Sequence, residues 1–474
     1  MKKSYFGFIA LALFGTTWLD AFDYKISGKA ESFSKFGFNN TPINSTEGKY
    51  PTESFVTMVG GLQIDMNLLP QSFSEQSLTG GLGGMVGGLA YDSGRNLIDE
   101  ANGKPFGSAT FNYIGYYAKY DGTAAWQKPD SQYNIGMTQN TRHYVLYNAY
   151  LNYDYNGIFG IKGGRYESTA DFHSGFTQGF EVYAKISEVK LWWFSSYGRA
   201  FAYDEWLYDF YAPKTYTEPS GRVVNLGIHI FKTTWYHNGI TIAPFIQFSP
   251  KTYTTPAIEV GYDTNPEFDG NGFRSQTTII GLFSVWDKNV RSGYRYGNQT
   301  GADGQTLLIK QRFDINNYNI GGGIYKNFKN ANAHMGTYGN PVGIDFWTAS
   351  VYDIGASISD MMGKDAFTGF LYGGGYYVLG NSKNFGGKLN WGILGRLTTS
   401  DRSNEQSIAV NADYQFSSPF QLAVGLKLEY YRDLTKEGYK VGVSGPVPLR
   451  PDGSKQPQDI SDRSHMMAYI RYGF

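Results

Sequence analysis

The last ten residues, His465 to Phe474, constrain this chain more than any other stretch. Taken alternately, Met466, Ala468, Ile470, Tyr472 and Phe474 are apolar or aromatic, while His465, Met467, Tyr469, Arg471 and Gly473 carry the polar groups. A period of two belongs to a strand, and two unlike faces mean two unlike solvents. A final strand that runs to an aromatic last residue is the ending of an outer-membrane barrel, where it closes the sheet against the first strand. Ile470, Tyr472 and Phe474 are therefore expected to face lipid and to form the signal read by the barrel-assembly machinery.

The other end agrees. Lys2 and Lys3 precede an apolar run from Tyr5 to Leu13, and Leu19-Asp20-Ala21 offers a small residue for cleavage. This pattern predicts a signal peptide over residues 1–21, too short to span as a helix. Residues 22–474 are then one outer-membrane barrel domain. No stretch after the signal reaches eighteen apolar residues, so a helical membrane protein is excluded. The mean hydropathy of −0.38 does not argue against a barrel, because lipid-facing and lumen-facing residues alternate and cancel. The absence of cysteine among 474 residues excludes disulfides, thiolate metal sites and cysteine nucleophiles. A formal net charge of zero gives no reason to expect nucleic acid as a partner.

Alternating segments recur along the chain. In 23–36, Tyr24, Ile26, Gly28 and Ala30 oppose Lys25, Ser27, Lys29 and Glu31. In 142–155, Val145, Tyr147, Ala149, Leu151, Tyr153 and Tyr155 oppose Asn148, Tyr150, Asn152 and Asp154. Asn156-Gly157 follows as a tight hairpin signal. In 420–431, Leu426 and Leu428 oppose Lys427 and Glu429. Aliphatics sit mid-strand and aromatics at the ends, the girdle of a membrane barrel. Pro244 cannot donate to a ladder and should mark a bulge or a local break.

Eighteen segments emerge: 23–36, 54–67, 107–120, 142–155, 158–166, 179–187, 189–198, 222–235, 239–249, 273–286, 290–297, 306–326, 342–353, 367–379, 387–399, 404–416, 420–431 and 464–474. The fold predicted is an all-β transmembrane antiparallel barrel of about 18 strands, with 16 to 20 open. Its tight turns are expected on the periplasmic side and its long stretches, 121–141, 199–221, 250–272 and 432–463, outside. The glycine-rich run Leu78–Ala90 lacks the spacing of a phosphate loop and reads as a tucked-in loop, or a short glycine-rich turn of helix or strand, between strands two and three.

No catalytic or metal constellation stands out. The six histidines form no ligand pair, so no metal or cofactor is expected and the chain reads as a non-enzyme. Asp204, Glu205 and Asp209 form an acidic group in an outer loop, read as solvated in preference to a calcium site.

Two groups of residues carry a family likeness. Tyr24-Lys25-Ile26-Ser27-Gly28, Phe33 to Phe38, and Leu82 to Ser93 resemble the Hof outer-membrane protein family of Helicobacter and Campylobacter. Gly163-Gly164-Arg165-Tyr166 with Phe176 to Glu181 is similar to the OprD porin group, where it spans strand five, an inward third loop and strand six. The resemblance implies an eighteen-stranded porin in the outer membrane, among lipid and lipopolysaccharide. A monomer is expected, with a trimer left open. It also implies passive diffusion of small polar solutes, carboxylate-bearing ones among them. A surface adhesin or structural barrel acting through its extracellular loops is the alternative.

Cations on a lipid face are costly, so charge on the polar parity belongs to the lumen. This makes Lys25, Lys29, Asp154, Lys190, Arg396, Asp413, Lys427, Glu429 and Arg471 candidate pore-lining residues. Arg165 joins them by resemblance, with loop 167–178 as the constriction. Whether these charges stay unpaired or neutralise each other across the wall is left open by the sequence.

Overall fold

The computed structural model describes residues 23–70, 73–94, 97–105, 143–288, 290, 293–295, 298–300, 302–330, 363–380, 386–417, 421–443 and 445–474. Among these, eighteen long strands form one closed antiparallel wall. They are β1 (Asp23–Gly37), β2 (Phe55–Asn67), β3 (Gln76–Asp92), β4 (Tyr144–Tyr155), β5 (Phe159–Ser168), β6 (Gly175–Ile186), β7 (Val189–Ala202), β8 (Ile228–His237) and β9 (Ile240–Ser249). The circuit continues through β10 (Tyr253–Asp263), β11 (Phe273–Trp286), β12 (Gly304–Ile315), β13 (Tyr318–Lys329), β14 (Phe367–Leu379), β15 (Gly387–Thr399), β16 (Ser403–Phe416), β17 (Leu422–Thr435) and β18 (His465–Gly473). Each strand pairs with its sequence neighbour, and β18 pairs with β1 from Lys29↔Gly473 to Gly37↔His465. Closure removes the sheet edges, so the backbone polar groups of the wall are satisfied without water.

Residues 156–158, 187–188, 238–239 and 316–317 are tight turns at one end; at the other end 38–54, 203–227 and 436–464 are long connections, whereas 250–252 and 400–402 are short. Asn156, Ser187, Asn238 and Asn316 take positive φ in the tight turns, and asparagine tolerates that conformation better than most residues.

The parity of the final strand holds. Ile470, Tyr472 and Phe474 stand exposed on the outer face, and Tyr469 and Arg471 point inward. On β17, Leu426, Leu428 and Tyr430 are exposed outward, while Glu429, Tyr431 and Asp433 are buried inside. Replacing Leu426 with arginine should therefore destabilise the barrel by about 2–4 kcal/mol. Lys427→Arg, inside and 2.9 Å from Glu429, should leave folding nearly unchanged. Urea unfolding in lipid vesicles measures both; the reverse order would place the register one residue off, which exchanges the two faces.

Several expected segments are corrected. The glycine-rich run is no loop: it is most of β3, paired along β2 and β4. Residues 250–272 are not one outer loop but contain wall strand β10. The segment 306–326 is two strands, β12 and β13, turned at Asn316-Asn317. Among the described residues of 290–297 there is no wall strand, only one arm of a small hairpin, Gly293–Arg295 with Asn298–Thr300. The predicted signal peptide and the segments 107–120, 121–141 and 342–353 lie outside the described residues. The wall closes directly from β3 to β4 and from β13 to β14. Eighteen was thus reached with a different membership.

Bulges shift the facing, one of them in the β2–β3 pair between Val56↔Tyr91 and Thr57↔Leu89. Between Gly83↔Asn148 and Met85↔Val145, β4 carries an extra residue. As a result Val145 and Tyr147, expected outward, are buried inside the barrel. Another irregularity lies between Gln178↔Gly198 and Gly179↔Ser196. An extra residue re-aims every side chain beyond it, and no parity count can see it. Pro244 causes a local break: pairing of β8 with β9 skips Thr233 and Thr234, while the register on either side is kept.

Candidate functional site

The site is the lumen, and its two sides differ. From β7 to β14 the inward face carries an apolar band, in which Phe194, Ile230, Phe245, Ala257, Ile280, Leu282, Leu308, Tyr325 and Phe370 form one buried cluster, and a separate charged group of Arg274, Arg312, Asp263 and Asp314 on β10–β12. The connection 169–174 folds onto this band, with Phe172 stacked on Phe245 at 5.9 Å. Asp171 of the same connection meets Lys232, which also binds Glu259 at 2.7 Å. The inward third loop implied by the resemblance is thus present but short, because 167–168 and 175–178 belong to β5 and β6.

From β15 round to β1 the inward face is charged. Arg396 lies 3.8 Å from Glu405, and Arg463 lies 3.1 Å from Asp433. Glu429 accepts from Ser407 at 2.7 Å and pairs with Lys427. Lys35 and Glu53 form a fully buried pair. Charges so far from bulk water persist only when paired and hydrogen-bonded.

A segment that the sequence reading left outside crosses the interior. After β7 the chain turns inward, and the short strand Leu207–Tyr211 folds back against the end of β7. Leu207 and Phe210 are buried among Phe33, Phe55, Val59, Met85, Tyr147 and Phe176 of the β1–β6 wall. Asp204 reaches farther. Its carbonyl accepts from Thr57 Oγ1 on β2 at 2.5 Å, and its carboxylate accepts from Arg471 Nε on β18 at 2.8 Å. Since β7 is hydrogen-bonded to β6 and β8, these bonds span the lumen from β7 to the closing seam. The acidic group expected to be solvated is thus partly internal, Asp204 and Asp209 being buried.

The predicted pore-lining residues divide as follows. Lys25 stands exposed beside Asp65 across the β1–β2 pair. Lys29 is 3.0 Å from Glu31. Arg165 Nε donates to Gln178 at 2.9 Å, and its guanidinium lies 4.4 Å from the centre of the Phe210 ring, against the infolded segment. Arg396, Lys427, Glu429 and Arg471 are in the pairs described above. Asp154 and Asp413 accept hydrogen bonds from the Tyr183 and Tyr469 hydroxyls.

Those tyrosines belong to a repeated arrangement that sequence reasoning missed. Tyr150, Tyr183, Tyr372 and Tyr469 each lie flat across a glycine of the adjacent strand: Gly81, Gly160, Gly321 and Gly425. A methyl on any of these glycines would overlap the ring. A cation rests over each ring: Lys162 over Tyr150 at 4.9 Å, Lys190 over Tyr183 at 4.9 Å, Lys310 over Tyr372 at 5.5 Å and Arg471 over Tyr469 at 3.9 Å. Cation–π attraction holds these charges near the wall. The only prior signal was composition, 60 glycines and 39 tyrosines. Among the described residues no group of three or more metal-ligating side chains occurs.

Residues 8–474 match the family described as "Putative outer membrane protein". The chain belongs to that outer-membrane protein family. No curated protein matches the chain by sequence. Solved structures share its fold. Pseudomonas aeruginosa OpdK, determined with vanillate, superposes with a TM-score of 0.58 at 10% identity, covering 95% of this chain and 98% of that one. Acinetobacter baumannii OccAB1 gives 0.57 at 10% identity, with 96% of each chain covered. OccD1 (OprD) gives 0.54 at 8% identity, with 95% of each covered.

Proposed function

We propose that this outer-membrane barrel is a diffusion channel for small polar solutes, carboxylate-bearing ones among them. The observation that supports it most is the infolded segment 203–211, which narrows a lumen whose wall carries paired charges and an apolar band. Such a passage orients a solute by its charge while its apolar part slides along that band. Transport is passive, and no side chain is assigned a catalytic role. On this reading the tight turns face the periplasm, the long connections face outward, and lipopolysaccharide surrounds the outer rim. Residues 1–21 direct export, and assembly machinery inserts the chain.

Purified protein should raise the conductance of a planar lipid bilayer in discrete steps. A bilayer that stays silent although the barrel is folded would overturn the channel reading in favour of an adhesin. Selectivity among simple ions should be weak. Lys29, Arg396, Lys427 and Arg471 each have a carboxylate within 4 Å, so these four cations add little net charge with which to exclude either sign. The reversal potential in a potassium chloride gradient should lie close to zero; a strong preference for either ion would refute the paired lumen.

A further inference from the structure

We propose that the connection between β10 and β11, residues 264–272, is a strap across the periplasmic mouth of the lumen, a second constriction that limits which solutes leave the pore. The proposal rests on the channel reading and adds to it a size-limiting element at the end opposite the infolded segment 203–211. The first observation is length. The connection is several times longer than 187–188, 238–239 and 316–317, which close their strand pairs at the same end. A two-residue turn suffices to join antiparallel neighbours, so the extra chain lies somewhere other than the turn itself.

The second observation is its path. One foot is fixed where it leaves β10: the Thr264 amide donates to the Ser275 carbonyl at 3.0 Å, and the Ser275 amide donates to Thr264 Oγ1 at 2.8 Å. The other foot is drawn sideways to the next hairpin. The Gly272 amide donates to Asn316 Oδ1 at 2.8 Å, and the Asn316 amide donates to the Gly272 carbonyl at 2.9 Å. Between the feet the chain turns in under the wall. The Phe268 ring lies 4.9 Å from the Arg274 guanidinium, an inward group paired with Asp314 at 2.9 Å. Gly270 reaches Tyr376 of β14, three strands round from β11: a Cβ on Gly270 would stand 3.3 Å from the Tyr376 hydroxyl. Tyr376 shares the inward parity of the buried Phe370 and lies beneath Lys388 at 4.0 Å. Contacts with inward groups of both β11 and β14 put the strap on the lumen side of the β12 and β13 ends.

The third observation is the return. Gly270 and Gly272 have φ of 96° and 82°, a region open to glycine, and this conformation brings the chain back to β11 after its inward excursion. Pro266, Glu267, Asp269 and Asn271 are exposed, so a group attached to them projects into the mouth without disturbing a packed core. Narrow passages in series share the resistance of a pore, so the strap and the infolded segment act on one current from opposite ends.

The chain has no cysteine, so a single thiol on the strap can be modified without background. Full-length Asp269→Cys is placed in a planar bilayer and treated on both sides with a bulky, charged methanethiosulfonate. The adduct should cut the single-channel conductance severalfold, and a reducing agent should restore it. Glu75→Cys, on the exposed connection 68–75 at the same end but away from the strap, should react without changing the current. Replacing Pro266–Asn271 by Gly-Gly keeps both feet and should raise the conductance about twofold, the change expected when one of two equal resistances in series is removed. Heat-modifiable mobility checks that each variant is folded, and mass spectrometry checks that each thiol has reacted. Glu267→Cys stands in if Asp269→Cys fails to assemble. Wild-type protein that conducts, with a strap adduct that alters the current no more than the adduct at 75, overturns the strap and leaves the channel reading standing. Unaltered conductance in the shortened variant does the same. A folded wild-type barrel that stays silent overturns both.

Discussion

Deleting Phe474, or replacing Gly28 with leucine, should remove most of the heat-modifiable barrel from the outer membrane. Closure depends on these two residues together. The Phe474 amide donates to the Gly28 carbonyl at 3.0 Å, and the Gly28 amide donates to the Phe474 carbonyl at 3.0 Å. The Phe474 ring then covers Gly28 on the outer face, where any Cβ would overlap it. Without the ring or its seat, β1 and β18 meet with unsatisfied backbone groups in lipid, each costing several kcal/mol. Comparing boiled and unboiled membrane samples on gels measures the folded fraction. A truncated chain that assembles at the normal level would show that closure is fixed elsewhere along the β1–β18 seam.

Arg463→Met should destabilise the barrel by about 3–5 kcal/mol, because it takes a cationic partner from a buried carboxylate. Asp433 is fully buried, Arg463 is 3% exposed, and they meet at 3.1 Å beneath the long connection before β18. Adding Asp433→Leu to Arg463→Met should recover much of the loss, since replacing both partners by apolar groups removes the uncompensated charge. The temperature at which the barrel loses its compact gel mobility orders the three proteins. A single variant as heat-resistant as the double would mean that Asp433 draws its compensation from elsewhere in the charged arc.

The fold was legible where the wall is regular. The alternation in 404–416 and 420–431 assigned lipid and lumen faces correctly because nothing interrupts the β16–β17 register from Ser403↔Thr435 to Gln415↔Ala423. It failed at Val145 and Tyr147, where one extra residue in β4 inverts the pattern. It failed again at β3, since a strand whose inward positions are Gly81, Gly83, Met85 and Gly87 has little side-chain contrast to alternate. Strand β10 was hidden by Pro256 and by turn-like flanks, although Pro256 is accommodated within the wall. Of the site, single residues were legible and partners were not. Arg471 was assigned to the lumen by parity alone. That its partner would be Asp204, 267 positions away on an infolded connection, depends on a chain path that local periodicity does not encode.

The tyrosines seated on glycines also bear on how such a chain can change over generations. Gly321 and Tyr372 lie 51 positions apart, yet neither is an independent character. An alanine at 321 is excluded while the tyrosine stays, and a smaller residue at 372 leaves a bare patch of backbone behind it. Acceptable variation therefore passes through pairs, with the bulky member retreating before the small one can grow. Four such couples inside the wall, and Gly28 with Phe474 outside it, turn two of the commonest residues in this chain into its least negotiable ones.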